Sequence, residues 1–451
     1  MAKYVIVGNG VAGMRAAEVV RREDDTADVI ILSEESHPFY RRPQLADFAS
    51  GAVGESRLWA KRSEYYVKQR FDLRLSSKVV ALDAAGRSVT MADGGTVHYD
   101  KILLATGRRV TGGGVAGSDS PGVNHFKTLD EARVIRDMDG AGKAGLVYGD
   151  GLVALELVRA LTSAGFSTTY LVPGAALWPE VLDVDAAGIM ASRIGAAGAE
   201  IVFGAQVRAV DADENRARGL VFAGGDVLSA DVVGLCAGYE PALEFLPDAG
   251  GELMLGAGYS TQWDGVFAAG DVTESRDNRY FNWLRSWRQG EAAGAAMMGL
   301  PFDEPSRLST LNMAPLGLSL VAIGQTTVAY RSGFTEMRGD YPYGEVYKKL
   351  VFAADETLVG TLLLGNIAEA GALEEAIRGG VKKADLPAGL LHQMFDVTYR
   401  VMARGVQCPI CKHEIQLGSD AAAGDLVTCP ICGSDLRLVD GAAGFSARVS
   451  G

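Results

Sequence analysis

The chain begins with a short apolar strand that runs directly into a glycine-rich turn. Residues 3–7 are Lys-Tyr-Val-Ile-Val, and residues 8–13 follow the pattern G-x-G-x-x-G. In such a turn the first glycine allows a sharp bend, the second lets the backbone approach a pyrophosphate, and the third lets the following helix pack closely. The pattern predicts a parallel α/β fold that binds a dinucleotide here. The candidate contacts are Gly8, Gly10, Val11, Ala12 and Gly13.

The next apolar strand ends at two adjacent carboxylates. It covers residues 29–33 and is followed by Glu34 and Glu35. A carboxylate that follows the glycine turn by about 20 residues accepts the ribose hydroxyls of a bound dinucleotide. We therefore predict Glu34 as the ribose ligand, with Glu35 beside it as a second candidate.

A second copy of the opening pattern lies further along the chain. The apolar strand 144–148 leads into residues 149–154, Gly-Asp-Gly-Leu-Val-Ala, in which alanine takes the third small position. Two nucleotide folds in one chain predict two dinucleotides held side by side. The candidate contacts of the second are Gly149, Gly151 and Ala154.

The second nucleotide site lacks the expected ribose carboxylate. Its next strand, residues 168–171, runs into Val172 and Pro173, and no arginine pair replaces the carboxylate for a 2′-phosphate. Three interpretations stay open: NAD bound without that contact, NADP bound by other residues, or a vestigial site. In the last case electrons would enter and leave through a protein partner alone.

Composition narrows the classes of function. Hydrophobic residues make up 48% of the 451 residues and charged residues 22%, as in ordinary soluble proteins. No apolar run approaches the ~20 residues of a membrane span, and the first strand begins too early for a signal peptide. We expect a cytoplasmic protein of about three domains. Its net charge of −13 argues against a nucleic-acid groove, which needs a concentrated basic face.

Cysteine placement excludes one kind of redox chemistry and predicts a metal site. The first 400 residues contain only Cys236, in an apolar run, so no C-x-x-C or C-x4-C disulfide can lie beside a cofactor there. The other four cysteines form two C-x-x-C pairs separated by 17 residues, which can supply four thiolates to a tetrahedral ion. We predict zinc, with iron as the alternative, at Cys408, Cys411, Cys429 and Cys432. This segment resembles small zinc ribbons, whose folding energy comes from the metal, and its expected purpose is docking.

Four further segments carry a family resemblance. They are residues 40–45 (Y-R-R-P-Q-L), 105–107 (A-T-G), 269–271 (A-G-D) and 283–290 (W-L-R-S-W-R-Q-G). With the two glycine turns, they resemble the flavoprotein reductases that have two dinucleotide-binding domains, a family that includes ferredoxin-type and rubredoxin-type NAD(P)H reductases. The likeness covers about residues 1–400 and is closest to the flavin portion of nitrite reductase.

The resemblance implies FAD at the first glycine turn and NAD(P)H as co-substrate at the second. It implies that the 40–45 segment lies along the flavin and that Asp271 bonds the ribityl chain, with chemistry centred on the flavin and no catalytic side chain. The further implied FAD contacts are Arg42, Pro43, Val79, Ala105, Thr106, Gly107, Gly270, Asp271, Trp283 and Gln289. The further implied NAD(P) contacts are Glu156, near the nicotinamide, and Gly238.

The chain departs from the family at positions that matter for chemistry. Ferredoxin-type members carry a lysine near flavin N5 after the P-x-L segment, where Ala46 and Asp47 stand here. Ser286 replaces an alanine of the 283–290 pattern. Peroxidases and disulfide reductases of the family carry a redox cysteine that this chain lacks, so disulfide and peroxide chemistry by a protein thiol is not expected.

We therefore predict an α/β protein with two interleaved Rossmann-like dinucleotide-binding domains, a C-terminal α+β domain and a small zinc ribbon. The expected boundaries are 1–112 with 243–310 for the FAD-binding domain, 113–242 for the NAD(P)-binding domain, 311–400 for the α+β domain and 405–440 for the ribbon. A helical stretch is expected near residues 369–404.

The predicted function is FAD-dependent exchange of hydride with NAD(P)(H) and of electrons with a redox partner protein, as the flavin subunit of a larger oxidoreductase. The expected partner is an iron–sulfur protein or a molybdenum- or tungsten-type oxidoreductase subunit. Two alternatives stay open: a non-catalytic FAD-binding assembly subunit, and a stand-alone NAD(P)H reductase of a small acceptor.

Overall fold

The computed structural model begins with a parallel sheet. It describes residues 1–214, 216–246, 253–273, 283–303, 308–328, 333–339, 346–397, 404–409, 414–417, 423–429, 434–441 and 444–449. The first elements are β1 (Lys3–Val7), α1 (Val11–Glu23), β2 (Asp28–Leu32), α2 (Leu45–Ala49), α3 (Ser63–Gln69), β3 (Phe71–Arg74), β4 (Val79–Asp83), β5 (Ser88–Met91), β6 (Thr96–His98) and β7 (Lys101–Leu104). Strands β7, β1, β2 and β3 lie in that order and in parallel, and β4 to β6 form a small antiparallel sheet. Val5 and Ile6 of β1 are fully buried, because a parallel sheet is covered on both faces.

A second nucleotide-binding unit is inserted into the first. Its elements are β8 (Arg108–Thr111), β9 (Val123–Asn124), α4 (Leu129–Arg136), β10 (Ala144–Gly149), α5 (Leu152–Ser163), β11 (Ser167–Val172), α6 (Val184–Ala196), β12 (Ala199–Phe203), β13 (Val207–Ala212), β14 (Ala217–Phe222), β15 (Val227–Ser229), β16 (Val232–Cys236) and β17 (Gly238–Pro241). The order β12-β11-β10-β16-β9 gives a second parallel sheet, and β13 to β15 form an antiparallel one. Strands β8 and β17 pair with each other, so the chain leaves and re-enters the first unit at one place.

The chain then completes the first unit. Strand β18 (Val266–Ala268) adds a parallel strand beside β7, and helix α7 (Trp283–Met297) packs against α1. The two helices approach closely at Gly290, where a Cβ would lie 2.3 Å from the Ala12 carbonyl oxygen. The predicted fold class of two interleaved Rossmann-like domains is confirmed.

An antiparallel sheet forms the next part of the molecule. Its elements are β19 (Thr310–Met313), β20 (Leu320–Gly324), β21 (Phe334–Gly339), β22 (Tyr347–Ala353), β23 (Leu358–Leu364), α8 (Ala370–Arg378) and β24 (Met394–Val397), with sheet order β19-β20-β23-β22-β21-β24. The helical stretch predicted near 369–404 is wrong from Gly379 to Val397, where only short 3-10 turns and a strand follow the helix, and residues 398–403 lie outside the described part of the chain. Gly379 and Gly380, the latter with a φ of +62°, follow the helix, and β24 then joins the edge of the sheet.

Buried ions attach this sheet to the second nucleotide-binding unit. Asp183 caps helix α6 by accepting the Ala186 N–H at 3.0 Å. The same carboxylate receives Lys349 Nζ at 2.6 Å and the Tyr347 hydroxyl at 2.6 Å. Lys349 is fully buried, so the C-terminal sheet and α6 share a desolvated charge pair.

The ribbon consists of short antiparallel strands. They are β25 (Arg404–Gln407), β26 (Glu414–Leu417), β27 (Leu426–Thr428), β28 (Asp435–Gly441) and β29 (Gly444–Val449). Cys408 and Cys429 are buried among a small group of aliphatic side chains. A core of this size supplies little folding energy. In the described part of the chain, no helix combines the length and apolar character needed to cross a membrane.

Candidate functional site

The first glycine turn has the geometry that a dinucleotide pyrophosphate requires. Gly8 has a φ of +112°, and a Cβ there would lie 2.2 Å from the Ala105 carbonyl oxygen. A Cβ at Gly13 would lie 2.1 Å from the Gly8 carbonyl oxygen, whereas a Cβ at Gly10 would meet no described atom within 4 Å. The outer glycines therefore permit close packing, and the middle one leaves open space before α1. Among the described residues no side chain caps this helix, so its first N–H groups are available to an anion.

The second glycine turn repeats part of this geometry, but a Cβ at its middle glycine, Gly151, would lie 3.1 Å from the Tyr239 hydroxyl oxygen. Gly149 has a φ of +152°, and a Cβ there would lie 2.4 Å from the Cys236 carbonyl oxygen. Ala154 takes the third small position and is fully buried. Gly151 precedes α5, which also has no side-chain cap within the described residues. The two units thus present helix N-termini of the same kind.

The charges at the second turn differ from those at the first. Asp150 stands between the two glycines. Burial raises the pKa of Tyr148, and the negative charge of Asp150 raises it further. Strand β11 ends at Val172 and is followed by Pro173, as the sequence indicated. Neither the negative charge of Asp150 nor the apolar end of β11 decides between bound NAD, bound NADP and a vestigial site.

Of the two carboxylates after β2, Glu35 is the one that lines the pocket at the first glycine turn. Asn9 and Ser33 line the same pocket. Glu34 is 65% exposed and pairs with Lys78 Nζ at 2.7 Å. The structure therefore places the predicted ribose ligand outside the pocket and the second candidate inside it.

A hydrogen-bond network holds Glu35 in place. The Tyr40 hydroxyl donates to Glu35 Oε2 at 2.6 Å, and the Arg42 guanidinium pairs with Oε1. Arg42 also donates to the Lys127 carbonyl oxygen at 2.7 Å. Burial alone would raise the pKa of Glu35, but the charge of Arg42 and the Tyr40 hydrogen bond lower it overall. Glu35 is thus an ionised acceptor that can bind ribose hydroxyls.

Lys127 is a candidate cofactor ligand that sequence reasoning missed. Its ammonium group senses the charges of Asp271, Arg42, Arg108 and Glu35. Burial lowers the pKa of Lys127 to about 8, and the two arginines act in the same direction while the carboxylates oppose it. A half-buried cation at this place is suited to a phosphate.

A capping box fixes the backbone at Lys127. Thr128 caps α4, and the Glu131 carboxylate accepts the N–H groups of Lys127 at 2.9 Å and Thr128 at 2.8 Å. The T-x-x-E pattern of such a box can be recognised in a sequence. It does not show, however, that the side chain before it interacts with the charges of Glu35 and Asp271 on distant segments.

The predicted ribityl ligand, Asp271, is oriented by helix α7. Ser286 Oγ donates to Asp271 Oδ1 at 2.9 Å, so the serine that departs from the family pattern has a defined role. Gln289 is 2% exposed and accepts the Gly270 N–H at 2.8 Å. Gln289 therefore shapes the turn that carries the carboxylate.

The remaining predicted FAD contacts lie around the same strand ends. Gly107 has a φ of +73°, and Thr106 Oγ1 donates to the Ala242 carbonyl oxygen at 2.8 Å. Trp283 stacks on Phe39, with ring centroids 5.4 Å apart. Of the others, Ala12, Val79 and Ala105 are buried, Val11 is half-buried and Pro43 is exposed.

The two nucleotide-binding units meet at three charged side chains. Glu156, predicted near the nicotinamide, lies in the second turn of α5. Arg159 NH2 is 2.8 Å from Glu156 Oε2, and the NH1 group of Arg159 contacts Asp47 Oδ1 on α2. The last predicted NAD(P) contact, Gly238, opens β17, where a Cβ would lie 2.2 Å from Thr111 Oγ1.

The described cysteines are not among the residues that line the pocket at the first glycine turn. Cys236 is fully buried in β16, donates to the His125 carbonyl oxygen at 3.7 Å, and has a pKa raised far by burial. Cys408 and Cys429 lie in the ribbon, whereas Cys411 and Cys432 lie outside the described residues. The four-thiolate metal site therefore stays a prediction.

Comparison with known families agrees with this geometry. The family described as pyridine nucleotide-disulphide oxidoreductase matches residues 2–294. Residues 406–441 match the zinc-ribbon family described as alpha-aminoadipate carrier protein LysW-like, globular domain. The predicted family resemblance over the nucleotide-binding units is confirmed.

The curated relatives are reductases and electron-transfer subunits. The anthranilate 1,2-dioxygenase system ferredoxin–NAD(+) reductase component of Burkholderia cepacia is 32% identical over 346 residues, which cover 72% of this chain and 84% of the relative. The NADH-dependent phenylglyoxylate dehydrogenase subunit epsilon of Aromatoleum evansii is 25% identical over 400 residues, 85% of this chain and 92% of the relative.

A solved structure shares the fold at lower identity. The NAD-dependent persulfide reductase of A. fulgidus superposes with a TM-score of 0.77 at 21% identity, covering 88% of this chain and 79% of its own. The family match, which spans more than half of the chain, supports FAD and NAD(P)H as the cofactors. The chain belongs to the pyridine nucleotide-disulphide oxidoreductase family.

Proposed function

We propose that this chain is a flavin subunit that passes electrons between NAD(P)H and a redox partner protein. The observation that carries the proposal is a pair of similar glycine turns, each at the start of a helix, in units that hold no accessible thiol. The only cysteine of the first 400 residues is Cys236, which is buried in β16. Because the first 400 residues cannot form a disulfide that would receive electrons from the flavin, we infer an acceptor outside this part of the chain.

The residues of the first pocket fit FAD. Asn9 Nδ2 is buried and has no hydrogen-bond partner within the described residues, so the glycine turn offers a further donor. Glu35 would accept the ribose hydroxyls, and the N–H groups of α1 together with Lys127 would face the pyrophosphate. Asp271, oriented by Ser286, would accept a ribityl hydroxyl. FAD bound there would supply hydride exchange with nicotinamide and single-electron exchange with an acceptor.

The relatives support a place in a multiprotein system. Their names describe a ferredoxin–NAD(+) reductase component and a dehydrogenase subunit. We infer a partner that carries single electrons, either an iron–sulfur protein or a molybdenum- or tungsten-type oxidoreductase subunit. The protein's contribution is to position the two dinucleotides and to set the charge around them.

The C-terminal ribbon extends this function to docking. Its proposed ligands are Cys408, Cys411, Cys429 and Cys432, with zinc as the metal, because the LysW-like match is to a zinc ribbon. Zinc has no redox chemistry, so the ribbon would hold a partner while electrons leave through the flavin. Metal analysis of the purified protein is expected to give one zinc and no iron per chain.

Anaerobic double-mixing stopped flow tests the proposal. FAD-loaded protein is mixed first with NADH or NADPH, and the bleached protein is then mixed with a one-electron ferredoxin-type acceptor or with a disulfide. We expect rapid bleaching by one nucleotide and recovery of the flavin band with the one-electron acceptor only. A flavin that neither nucleotide bleaches would overturn the proposal in favour of a non-catalytic assembly subunit.

A further inference from the structure

An arginine lies between two carboxylates where α2 meets α5. Arg159 NH2 is 2.8 Å from Glu156 Oε2, one turn away on the same helix. The NH1 group of the same guanidinium contacts Asp47 Oδ1 on α2. The exposed fractions of the Arg159, Glu156 and Asp47 side chains are 20%, 21% and 35%. Partial burial strengthens such pairs relative to surface ion pairs.

The three residues connect the segments that approach the two dinucleotides. Helix α2 follows directly after the 40–45 segment, whose Arg42 binds the pocket residue Glu35. Helix α5 starts at the second glycine turn, and Glu156 lies in its second turn. Arg159 therefore ties the element that leads out of the FAD pocket to the element that receives the nicotinamide dinucleotide.

The charge arrangement reverses what the sequence resemblance implies. Asp47 stands in the segment where ferredoxin-type reductases carry a lysine, so the FAD side contributes a carboxylate to this junction. Arg159 supplies the positive charge from the opposite unit. Without it, Glu156 and Asp47 would be two carboxylates in a poorly solvated junction, and one of them would take up a proton.

We propose that Arg159 is the positioning residue for hydride transfer: from the nicotinamide side it supplies the cation of this junction, binds the Glu156 carboxylate, and contacts Asp47 of α2. The inference rests on the proposed function. The Glu156 carboxylate, fixed by Arg159, can accept a hydrogen bond from the NH2 group of a nicotinamide amide. The link to Asp47 keeps this carboxylate fixed relative to the FAD pocket.

The test measures flavin reduction by NADH in FAD-loaded Arg159→Met protein. We expect a limiting rate at least about tenfold below wild type, because small misplacements of reacting groups are costly. The acid limb of the rate–pH profile should move up by about one unit or more, since Glu156 loses its counter-charge. Burial raises the pKa of Glu156 overall; among the described residues, Arg159 of its own helix opposes this rise and the charge of Asp47 on α2 adds to it.

Two rescue variants separate positioning from general damage. Arg159→Lys should restore the pH profile because it keeps the cation. The double variant Asp47→Lys/Arg159→Met places a positive charge on α2 in place of the one removed from α5. It should recover most of the rate lost in Arg159→Met. Arg136→Met is the matched control: Arg136 reaches α2 through the Phe48 carbonyl oxygen at 2.9 Å but has no contact with Glu156. Its limiting rate should stay within about twofold of wild type, with an unchanged pH profile.

A thermal-unfolding cycle on the apoprotein gives a readout that does not depend on activity. Asp47→Asn, Arg159→Met and their double variant should show non-additive melting temperatures, because the two side chains contact each other. Additive shifts, or an Arg159→Met protein with wild-type rate and pH profile, would overturn this inference and leave the proposed function unaffected. A wild-type flavin that NADH and NADPH leave oxidised would overturn the proposed function and this inference with it.

Discussion

At the end of β2, two neighbouring glutamates have opposite surroundings. Glu34 is exposed beside Lys78, whereas Glu35 lies in the pocket with Tyr40 and Arg42. Both residues lie in a bend beyond the end of β2, where the chain turns and the two side chains meet different neighbours. The count of residues from the glycine turn locates the pair, and the structure distinguishes its members.

Glu35→Gln is expected to weaken FAD binding to the apoprotein by about 10- to 100-fold, since hydrogen bonds to a charged group contribute about 1.5–3 kcal/mol. Glu34→Gln is the matched control, with the same chemical change one residue away. It should alter the dissociation constant by less than about twofold, as expected for an exposed ion pair. Fluorescence titration with FAD measures both. A larger loss in Glu34→Gln would restore Glu34 as the ribose ligand.

Lys127 should make FAD binding pH-dependent. Burial lowers its pKa to about 8 in the free pocket, and a bound pyrophosphate favours the ammonium form and raises that pKa. Binding therefore takes up a proton above pH 8, and the affinity for FAD should fall by up to about tenfold per pH unit there. Lys127→Met should bind FAD more weakly at pH 7 and lose this dependence. The exposed Lys68 offers a control, because Lys68→Met should retain the wild-type dependence of FAD affinity on pH. Equal pH dependence in wild type, Lys127→Met and Lys68→Met would exclude Lys127 as a pyrophosphate ligand.

At the scale of elements, the crossing of α1 and α7 holds the FAD pocket together. α1 carries the first glycine turn, and α7 carries Ser286 and Gln289, which fix the turn around Asp271. The helices can approach because small residues line the contact: a Cβ at Gly290 would meet backbone atoms of α1. The Q-G pair thus has a packing role as well as its predicted place beside the cofactor.

Gly290→Ala is expected to destabilise the protein by about 1–3 kcal/mol, because the added methyl group forces the backbones apart. It should also weaken FAD retention. Gly195→Ala in α6 is the matched control: a Cβ there meets nothing within 4 Å among the described residues. That change should stabilise the protein by about 0.5–1 kcal/mol through helix propensity. Denaturant unfolding of both variants measures the two effects, and shifts of the same sign would contradict this account of the crossing.

For the whole molecule, sequence reasoning succeeded where function depends on local backbone pattern. Both glycine turns, the A-T-G turn and the strand that ends at Asp271 are local, and the structure confirms the interleaved fold they predict. It failed where side chains meet across the fold. The links from Arg159 to Asp47, from Lys127 to the FAD pocket and from Ser286 to Asp271 join different elements, and no periodicity records such contacts.

The attachment of the C-terminal sheet is also a property of the whole molecule. Burial alone would raise the pKa of Asp183, but Lys349 and Tyr347 lower it overall. Its stabilising effect is therefore present above about pH 4 and is lost as the pH falls through the folded-state pKa. Asp183→Asn should cost up to about 3 kcal/mol, because the buried Lys349 loses its nearer counter-ion and keeps Glu336, whose Oε1 is 3.6 Å away.

Asp185→Asn is the control for that prediction. Asp185 lies two residues away, is 54% exposed and pairs with Arg338. Its loss should cost less than about 1 kcal/mol. Urea unfolding at pH 7 compares the two variants, and an equal cost would show that the buried pair does not attach the sheet.

An anaerobic reductive titration tests the central claim most directly. The chain is proposed to hold one two-electron centre, the flavin, because the first 400 residues contain no cysteine pair and the proposed ribbon metal is zinc. We predict that one equivalent of NADH or NADPH per chain bleaches the flavin completely. A requirement for two equivalents, or a flavin that stays oxidised, would contradict a flavin subunit without a redox-active disulfide.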